Sequence, residues 1–170
     1  FPTRRSSDLE FIDNKLIKAV EEKYGIFAKN RFESLQKLIL ELQHKEEKVI
    51  LEKVNDFFNK VDYSTDEDTY DLKDYWATPF EFLARDEGDC EDYAIAKYLL
   101  LKHLGINSNK MYLTYVNVID YNASHMVLSY FETQNSVPLI LDNFEEELLP
   151  ATQRTDLKPV HYFNPEILKD

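Results

Sequence analysis

Apolar residues in the first third of the chain recur at the three- and four-residue spacing of α-helices, from Leu9 to about Val61. The segment LIKAVEEKYG ends at Gly25, a residue type that is typical of helix C-caps. The segments RFESLQKLILELQ and EEKVILEKVNDFFNKV repeat the helical pattern. We therefore predict a run of helices whose apolar stripes pack into a core.

An acidic stretch interrupts this pattern. Residues 62–75, DYSTDEDTYDLKDY, are polar and predict a long loop, a kind of segment that is often functional. The following TPFEFLARDEG predicts a short helix with Thr78 as its N-cap and a proline at its first position. Gly88 then predicts a turn, and Asp89 can cap the apolar helix CEDYAIAKYLLLKHLG, which runs to Gly105.

After Gly105 the apolar residues alternate with a period of two. The segments KMYLTYVNVI, HMVLSYF and VPLILDNF are rich in β-branched and aromatic residues, and breaks rich in Asn and Ser separate them. They predict an antiparallel meander, to which KPVHYFN adds one more strand. Helices followed by strands predict an α+β domain, with an antiparallel sheet packed on the helix that begins near Cys90.

Composition narrows the class of protein. A chain of 170 residues can bury a substantial core, and we expect a single domain over residues 10–170. The basic first residues, FPTRRSSDL, match nothing that follows, so residues 1–9 are interpreted as a non-native N-terminal scar. The formal net charge of −12 argues against a nucleic-acid partner, and the apolar runs are too short for membrane insertion.

Cys90 is the only cysteine, so the chain cannot form an internal disulfide. This fits the cytosol and a disulfide-free secreted protein equally well. A helix N-terminus favours a reactive thiolate, but the neighbouring residues Asp89, Glu91 and Asp92 disfavour it. Either Cys90 is an unreactive, buried small residue, or a positive group joins it.

A cysteine nucleophile needs a base and a group that orients the base. Among the four histidines, His44 is interpreted as a solvated surface residue and His103 as favourable at a helix C-terminus. His125 opens the predicted strand HMVLSYF, and Asp142 ends the next strand, so hairpin pairing can bring the two together. This indicates a relay of Cys90, His125 and Asp142. The alternative is a hydrogen-bonded strand histidine and a buried cysteine.

Four blocks of sequence closely resemble the bacterial transglutaminase-like cysteine proteinases, and the likeness runs from about residue 35 to residue 164. The blocks are DYWATPFEFLARDEGDCEDYAIAKYLLLKHLG, HMVLSYF, LILDNF and TDLKPVHYFN. The resemblance implies a papain/transglutaminase-like fold with a Cys-His-Asp triad. It places the nucleophile on Cys90, the base on His125 and the orienting acid on Asp142.

The resemblance also implies a biological role. It implies a periplasmic endoprotease that cleaves a large surface adhesin near its N-terminus, at a di-alanine site, and so frees cells from a biofilm. An inner-membrane cyclic-di-GMP receptor would act as its inhibitor by sequestering it. Two alternatives stay open: a catalytically silent, calcium-dependent binding module, and a transglutaminase-type acyl transferase.

The resemblance further implies a Ca²⁺ ion beside the active site. Carboxylate oxygens are common calcium ligands, and Asp89, Glu91 and Asp92 provide a local cluster, with Asp71 and Asp74 added from the acidic loop. The alternative for the cluster is helix capping without a metal. Three aromatic residues near the site, Trp76, Tyr93 and Tyr98, are interpreted as core residues rather than as walls of a substrate cleft.

Overall fold

The computed structural model describes residues 12–65 and 79–166. Thr78 and Trp76 therefore lie outside the described residues, as do residues 1–9. The first described region holds three helices, namely α1 (Asn14–Tyr24), α2 (Ile26–Glu41) and α3 (Glu47–Asn59). The carboxylate of Asp13 caps α1 by accepting the Leu16 N–H at 2.9 Å. The helix ends as predicted at Gly25, whose φ of 97° suits glycine.

A short parallel pair of strands joins the two described regions. Strand β1 (Asp62–Tyr63) pairs with β2 (Glu87–Gly88), which follows helix α4 (Pro79–Arg85). The turn predicted at Gly88 is wrong, because this residue lies within β2. Its role is close packing: a Cβ there would lie 2.5 Å from the Phe82 ring and 2.8 Å from Asp92 Oδ2.

Helix α5 (Cys90–His103) runs through the middle of the fold. It is apolar around most of its circumference, as a helix covered on several sides must be. It contacts the sheet on one side and α3 and α4 on the other. The predicted end of this helix is confirmed at Gly105, where φ is 101°.

The sheet contains five antiparallel strands in the order β6–β5–β4–β3–β7. Their bounds are β3 (Met111–Val118), β4 (Ala123–Tyr130), β5 (Leu139–Leu141), β6 (Leu149–Pro150) and β7 (Leu157–Phe163). Strands β3, β4 and β5 form the predicted meander, and β7 is the further strand predicted at KPVHYFN, which returns beside β3. Strand β6 at the sheet edge was not predicted. The α+β architecture with a sheet on the Cys90 helix is thereby confirmed.

In the described parts of the chain, none of the helices combines the length and the apolar character that crossing a bilayer requires. Tyr93 and Tyr98 are each 2% exposed, as expected for core residues. Their hydroxyl groups donate to the Val61 carbonyl and to the Glu166 carboxylate, respectively. His44 is exposed as predicted, although it lies in a turn after α2 with a φ of 65° rather than in a helix.

Candidate active site

Cys90 is the first residue of α5, and a capping box fixes the backbone at this point. The Asp89 carboxylate accepts the Asp92 N–H at 3.2 Å, and the Asp92 carboxylate accepts the Asp89 N–H at 3.0 Å. Reciprocal bonds of this kind satisfy backbone donors that the first helical turn leaves unpaired. The capping interpretation of the acidic cluster therefore holds for Asp89 and Asp92.

The Cys90 side chain is partly buried between α5 and the sheet, where the N–H of Met126 on β4 donates to its sulfur. Burial raises the pKa of the thiol to about 12. The Met126 hydrogen bond opposes this rise, and the charges of Asp89 and Glu91 add to it. The structure therefore keeps the conflict that the sequence indicated between a Cys90 thiolate and its acidic neighbours. A positive charge must lie nearby for the thiolate to form.

His125 lies on β4, directly before Met126, and its ring meets Asp142. Leu141 pairs with Leu128 across β4 and β5, so Asp142 emerges beside the strand that carries His125. The His125 Nε2 donates to Asp142 Oδ1 at 2.6 Å, and the two residues are 3% and 1% exposed. The structure thus brings together the two residues that the hairpin argument paired. It leaves Nδ1 as the imidazole nitrogen that can face a thiol.

The Asp142 carboxylate has two further hydrogen-bond donors. Arg154, which is also buried, donates from Nη2 to Asp142 Oδ2 at 2.8 Å, and the Phe144 N–H donates to Oδ1 at 3.0 Å. Burial alone would raise the pKa of Asp142, but the His125, Phe144 and Arg154 interactions outweigh it and lower the pKa to about 2. Asp142 is therefore ionised at neutral pH and can stabilise a protonated imidazole.

Arg154 is a site residue that the sequence analysis missed. It follows a short 3₁₀ turn at Ala151–Gln153 and also pairs with Asp156, through Nε at 3.1 Å and Nη2 at 3.0 Å. Although burial opposes it, these two aspartates raise the pKa of Arg154 above its ordinary value. No periodicity or motif in the sequence marks this arginine, because its partner Asp142 is brought close only by the fold.

Phe144 is a second site residue that was missed. Its ring stacks on the His125 imidazole with centroids 4.5 Å apart and an interplanar angle of 21°. The Tyr63 ring lies 5.1 Å from the Phe144 ring and extends this aromatic surface. Phe144 therefore covers one face of His125 and shields its hydrogen bond to Asp142 from water.

A cavity of about 590 Å³ opens beside this pair. His125 and Asp142 form part of its wall, together with the exposed aromatic residues Tyr63, Tyr121 and Phe144. Its size suits several amino-acid side chains of a bound polypeptide. His125 therefore lies on a strand that contacts the Cys90 helix and also borders an accessible space.

The predicted metal ligands are only partly covered by the structure. Glu91 and Asp89 are partly buried at the start of α5, and Asp92 is 2% exposed. Asp71 and Asp74 lie outside the described residues. Within residues 12–65 and 79–166, no group of three or more His, Cys, Asp or Glu side chains is placed to hold a metal ion.

The carboxylates at the start of α5 match calcium in the type of donor atom. Asp89, Glu91 and Asp92 supply hard oxygen donors within one helical turn, which is the chemistry that Ca²⁺ prefers. They do not complete a site by themselves, since the ion takes about six to eight oxygen ligands. The cluster therefore fits calcium in type and requires further oxygen ligands from elsewhere.

Comparison with known proteins identifies a family of similar sequence. The sequence profile described as bacterial transglutaminase-like cysteine proteinase (BTLCP) matches residues 29–161. A search of curated proteins finds no significant match.

Solved structures of one protein are similar over most of the chain. Legionella pneumophila LapG is 41% identical, with a TM-score of 0.81, over 96% of this chain and 86% of its own. An EGTA-treated form matches with the same identity and TM-score, over 96% of this chain and 84% of its own. A calcium-bound form is 43% identical, with a TM-score of 0.80, over 89% of this chain and 84% of its own.

Proposed function

The chain belongs to the bacterial transglutaminase-like cysteine proteinases and is a cysteine peptidase, and we propose that Cys90, His125 and Asp142 are its catalytic triad. One observation supports this assignment above the others: the buried hydrogen bond of 2.6 Å between His125 and the ionised Asp142. His125 lies on β4, the strand whose Met126 N–H donates to the Cys90 sulfur, and Asp142 follows the neighbouring strand β5. This arrangement has the nucleophile, base and orienting acid that covalent catalysis by cysteine requires.

The proposed mechanism follows from these positions. His125 Nδ1 accepts the proton of Cys90, and Asp142 stabilises the imidazolium that forms. The Cys90 thiolate attacks the scissile carbonyl carbon, and backbone N–H groups at the start of α5 stabilise the oxyanion. His125 then protonates the leaving amine as the C–N bond breaks. Water, deprotonated by His125, hydrolyses the thioester and restores the thiol.

Arg154 acts on His125 through Asp142, and Phe144 acts on it through ring stacking. Arg154 holds the second carboxylate oxygen of Asp142 and thereby keeps the first one directed at His125. Phe144 excludes water from one face of the imidazole. Both effects keep the base in one orientation, which a proton transfer at about 3 Å requires.

We also propose that the chain binds Ca²⁺ beside Cys90. Asp89, Glu91 and Asp92 would hold the ion, with Asp71 and Asp74 as further ligands. The calcium-bound form of Legionella pneumophila LapG supports this proposal, together with the hard oxygen donors at the start of α5. When bound, the ion supplies positive charge that offsets the carboxylates next to the thiol.

For the substrate we propose the N-terminal region of a large surface adhesin, cleaved at a di-alanine site in the periplasm to disperse a biofilm. An inner-membrane cyclic-di-GMP receptor would bind the peptidase and inhibit it. The support for this role is the family membership and the similarity to Legionella pneumophila LapG over nearly the whole chain. The cavity beside His125 provides room for a polypeptide substrate.

The decisive experiment is incubation with N-terminal fragments of candidate adhesins, with and without a calcium chelator. We expect cleavage that is lost in Cys90→Ala, while the variant keeps the unfolding temperature of the wild type. Cleavage by Cys90→Ala would refute the triad. Cleavage that persists in chelator would refute the calcium requirement and leave the triad intact.

A further inference from the structure

Lys97 lies in the middle of α5 and is 0% exposed. It follows Cys90 by seven residues, or about two helical turns, and therefore lies on the same side of the helix. Burial of a charged amine is unfavourable unless the amine is paired. The burial lowers the pKa of Lys97 to about 7, although the charges of Asp142 and Asp56 oppose this shift. A residue that only filled space here would be apolar.

Two hydrogen bonds link Lys97 to the acid of the proposed triad. Its Nζ donates to Asn59 Oδ1 at 2.6 Å, and Asn59 Nδ2 donates to the main-chain carbonyl of Asp142 at 2.9 Å. Asn59 is the last residue of α3, so this chain of contacts joins α5, α3 and the end of β5. The charged and titratable groups around the amine are Asp56 on α3, Asp142, and the Tyr93 ring at 5.8 Å on α5.

These contacts hold a different part of Asp142 from those described above. Arg154 and the Phe144 N–H hold the carboxylate, whereas Asn59 holds the main-chain carbonyl. Because Lys97 shares a helix with Cys90, these hydrogen bonds connect the helix of the nucleophile, through Asn59, to the main chain of the acid. Misplacement by about 1 Å can slow catalysis roughly a hundredfold, so such a connection has functional consequences.

We propose that Lys97 and Asn59 are positioning residues of the peptidase, which tie the Cys90 helix to the Asp142 main chain and so set the nucleophile against the His125–Asp142 pair. This inference rests on the triad proposed above. It also explains why a lysine, whose burial is costly, occupies this site in the core.

The test compares Lys97→Met, Asn59→Ala and the double variant with the wild type. The readouts are the rate of Cys90 alkylation by iodoacetamide as a function of pH, and thermal unfolding. Lys102→Met is the matched control, because Lys102 lies on the same helix but pairs with Glu166 at its far end. We expect each single variant to slow alkylation about tenfold. The double variant should be no slower than the slower single one, since both break one connection.

Lys97→Met and Asn59→Ala should each still unfold cooperatively above the assay temperature, which shows that they are folded, and Lys102→Met should alkylate at the wild-type rate. Alkylation profiles of Lys97→Met and Asn59→Ala that superimpose on the wild type would overturn the inference, as would effects that multiply in the double variant. If Lys97→Met does not fold, Asn59→Ala at its partly exposed helix end decides alone.

His125→Ala in the same assay separates the two proposals. A rate that His125→Ala leaves unchanged shows that the triad is wrong, and the positioning inference falls with it. A rate that depends on His125 but not on Lys97 and Asn59 keeps the triad and overturns the positioning inference only.

Discussion

The active site has a sheet side, formed by His125 and Asp142, and a helix side, formed by Cys90 at the start of α5. The negative charges on the two sides are balanced in different ways. On the sheet side, Asp142 is buried with donors from His125, Phe144 and Arg154, and its charge is balanced by the arginine. On the helix side, Cys90 is followed and preceded by carboxylates, and burial holds the pKa of the thiol at about 12. On the sheet side, residues of the described chain balance the charge without any other group. The helix side requires a positive charge from a histidine proton or a bound cation.

Among the variants considered, Asp142→Asn should have the largest effect on turnover, because it removes the negative charge on the sheet side that holds His125. We expect turnover to fall by about 10³- to 10⁴-fold, since an amide cannot stabilise the His125 imidazolium or hold its tautomer. Single-turnover cleavage of an adhesin fragment measures the effect. Asp156→Asn is the control, because Asp156 contacts the same arginine with a side chain that is 43% exposed. Wild-type turnover in Asp142→Asn would remove Asp142 from the triad.

Arg154→Met tests whether the sheet side is balanced by the arginine. The Arg154 and Asp142 side chains are 7% and 0% exposed, and breaking a buried ion pair lowers the free energy of unfolding by about 3 kcal/mol or more. Chemical denaturation at neutral pH measures this loss. Lys158→Met, an exposed change of the same kind on β7, should leave stability unchanged. Equal stability of the two variants would contradict the prediction.

The same variant has a consequence for acid unfolding. The folded-state pKa of Asp142 is about 2, below its ordinary value of 3.8, so the stabilisation that it provides is present above pH 3.8 and is lost as pH falls towards 2. Removal of Arg154 raises this pKa, because one of the interactions that lower it is gone. Acid titration followed by circular dichroism should therefore show that Arg154→Met loses less stability than the wild type between pH 3.8 and 2, so it unfolds at a lower pH than its neutral-pH stability alone predicts.

Calcium binding tests how the negative charge on the helix side is balanced. If Ca²⁺ binds the folded chain, a concentration of 100 times the dissociation constant stabilises it by about 2.7 kcal/mol. Asp89→Asn should lose this response and keep the helix, because asparagine caps helices as well as aspartate does. Thermal unfolding with calcium and with chelator measures both effects. Asp120→Asn in the β3–β4 turn is the control, and loss of the response there would point to a general effect of net charge.

Phe144→Ala is the mildest test of the sheet side. Loss of the stacking on His125 should remove about 1 kcal/mol of interaction, or roughly fivefold in turnover. Steady-state cleavage measures the change, and Tyr121→Ala is the control, since it removes an exposed ring from the same cavity without touching His125. A larger effect in Tyr121→Ala than in Phe144→Ala would show that the cavity matters through substrate contact instead.

The sequence by itself determined the main elements and the family, but not the two-residue strands β1, β2 and β6. Helical and alternating periodicities are local properties, so they predicted the early helices, the Cys90 helix and the meander. The motif around Cys90 and the strand ends at His125 and Asp142 are also local features, and they indicate the triad. Gly88 was misinterpreted, because its role is to leave room for the Phe82 ring, a neighbour in space across α4 and β2.

Only the tertiary structure decided which residues hold the triad in place. Arg154, Asn59 and Lys97 meet Asp142 or each other across 12 to 83 residues of sequence. Such contacts depend on the strand register and on how α3 and α5 pack, and neither leaves a periodic pattern in the chain. A lysine in an apolar helix is visible in the sequence, but its burial and its partner are decided only when the end of α3 is placed beside the end of β5.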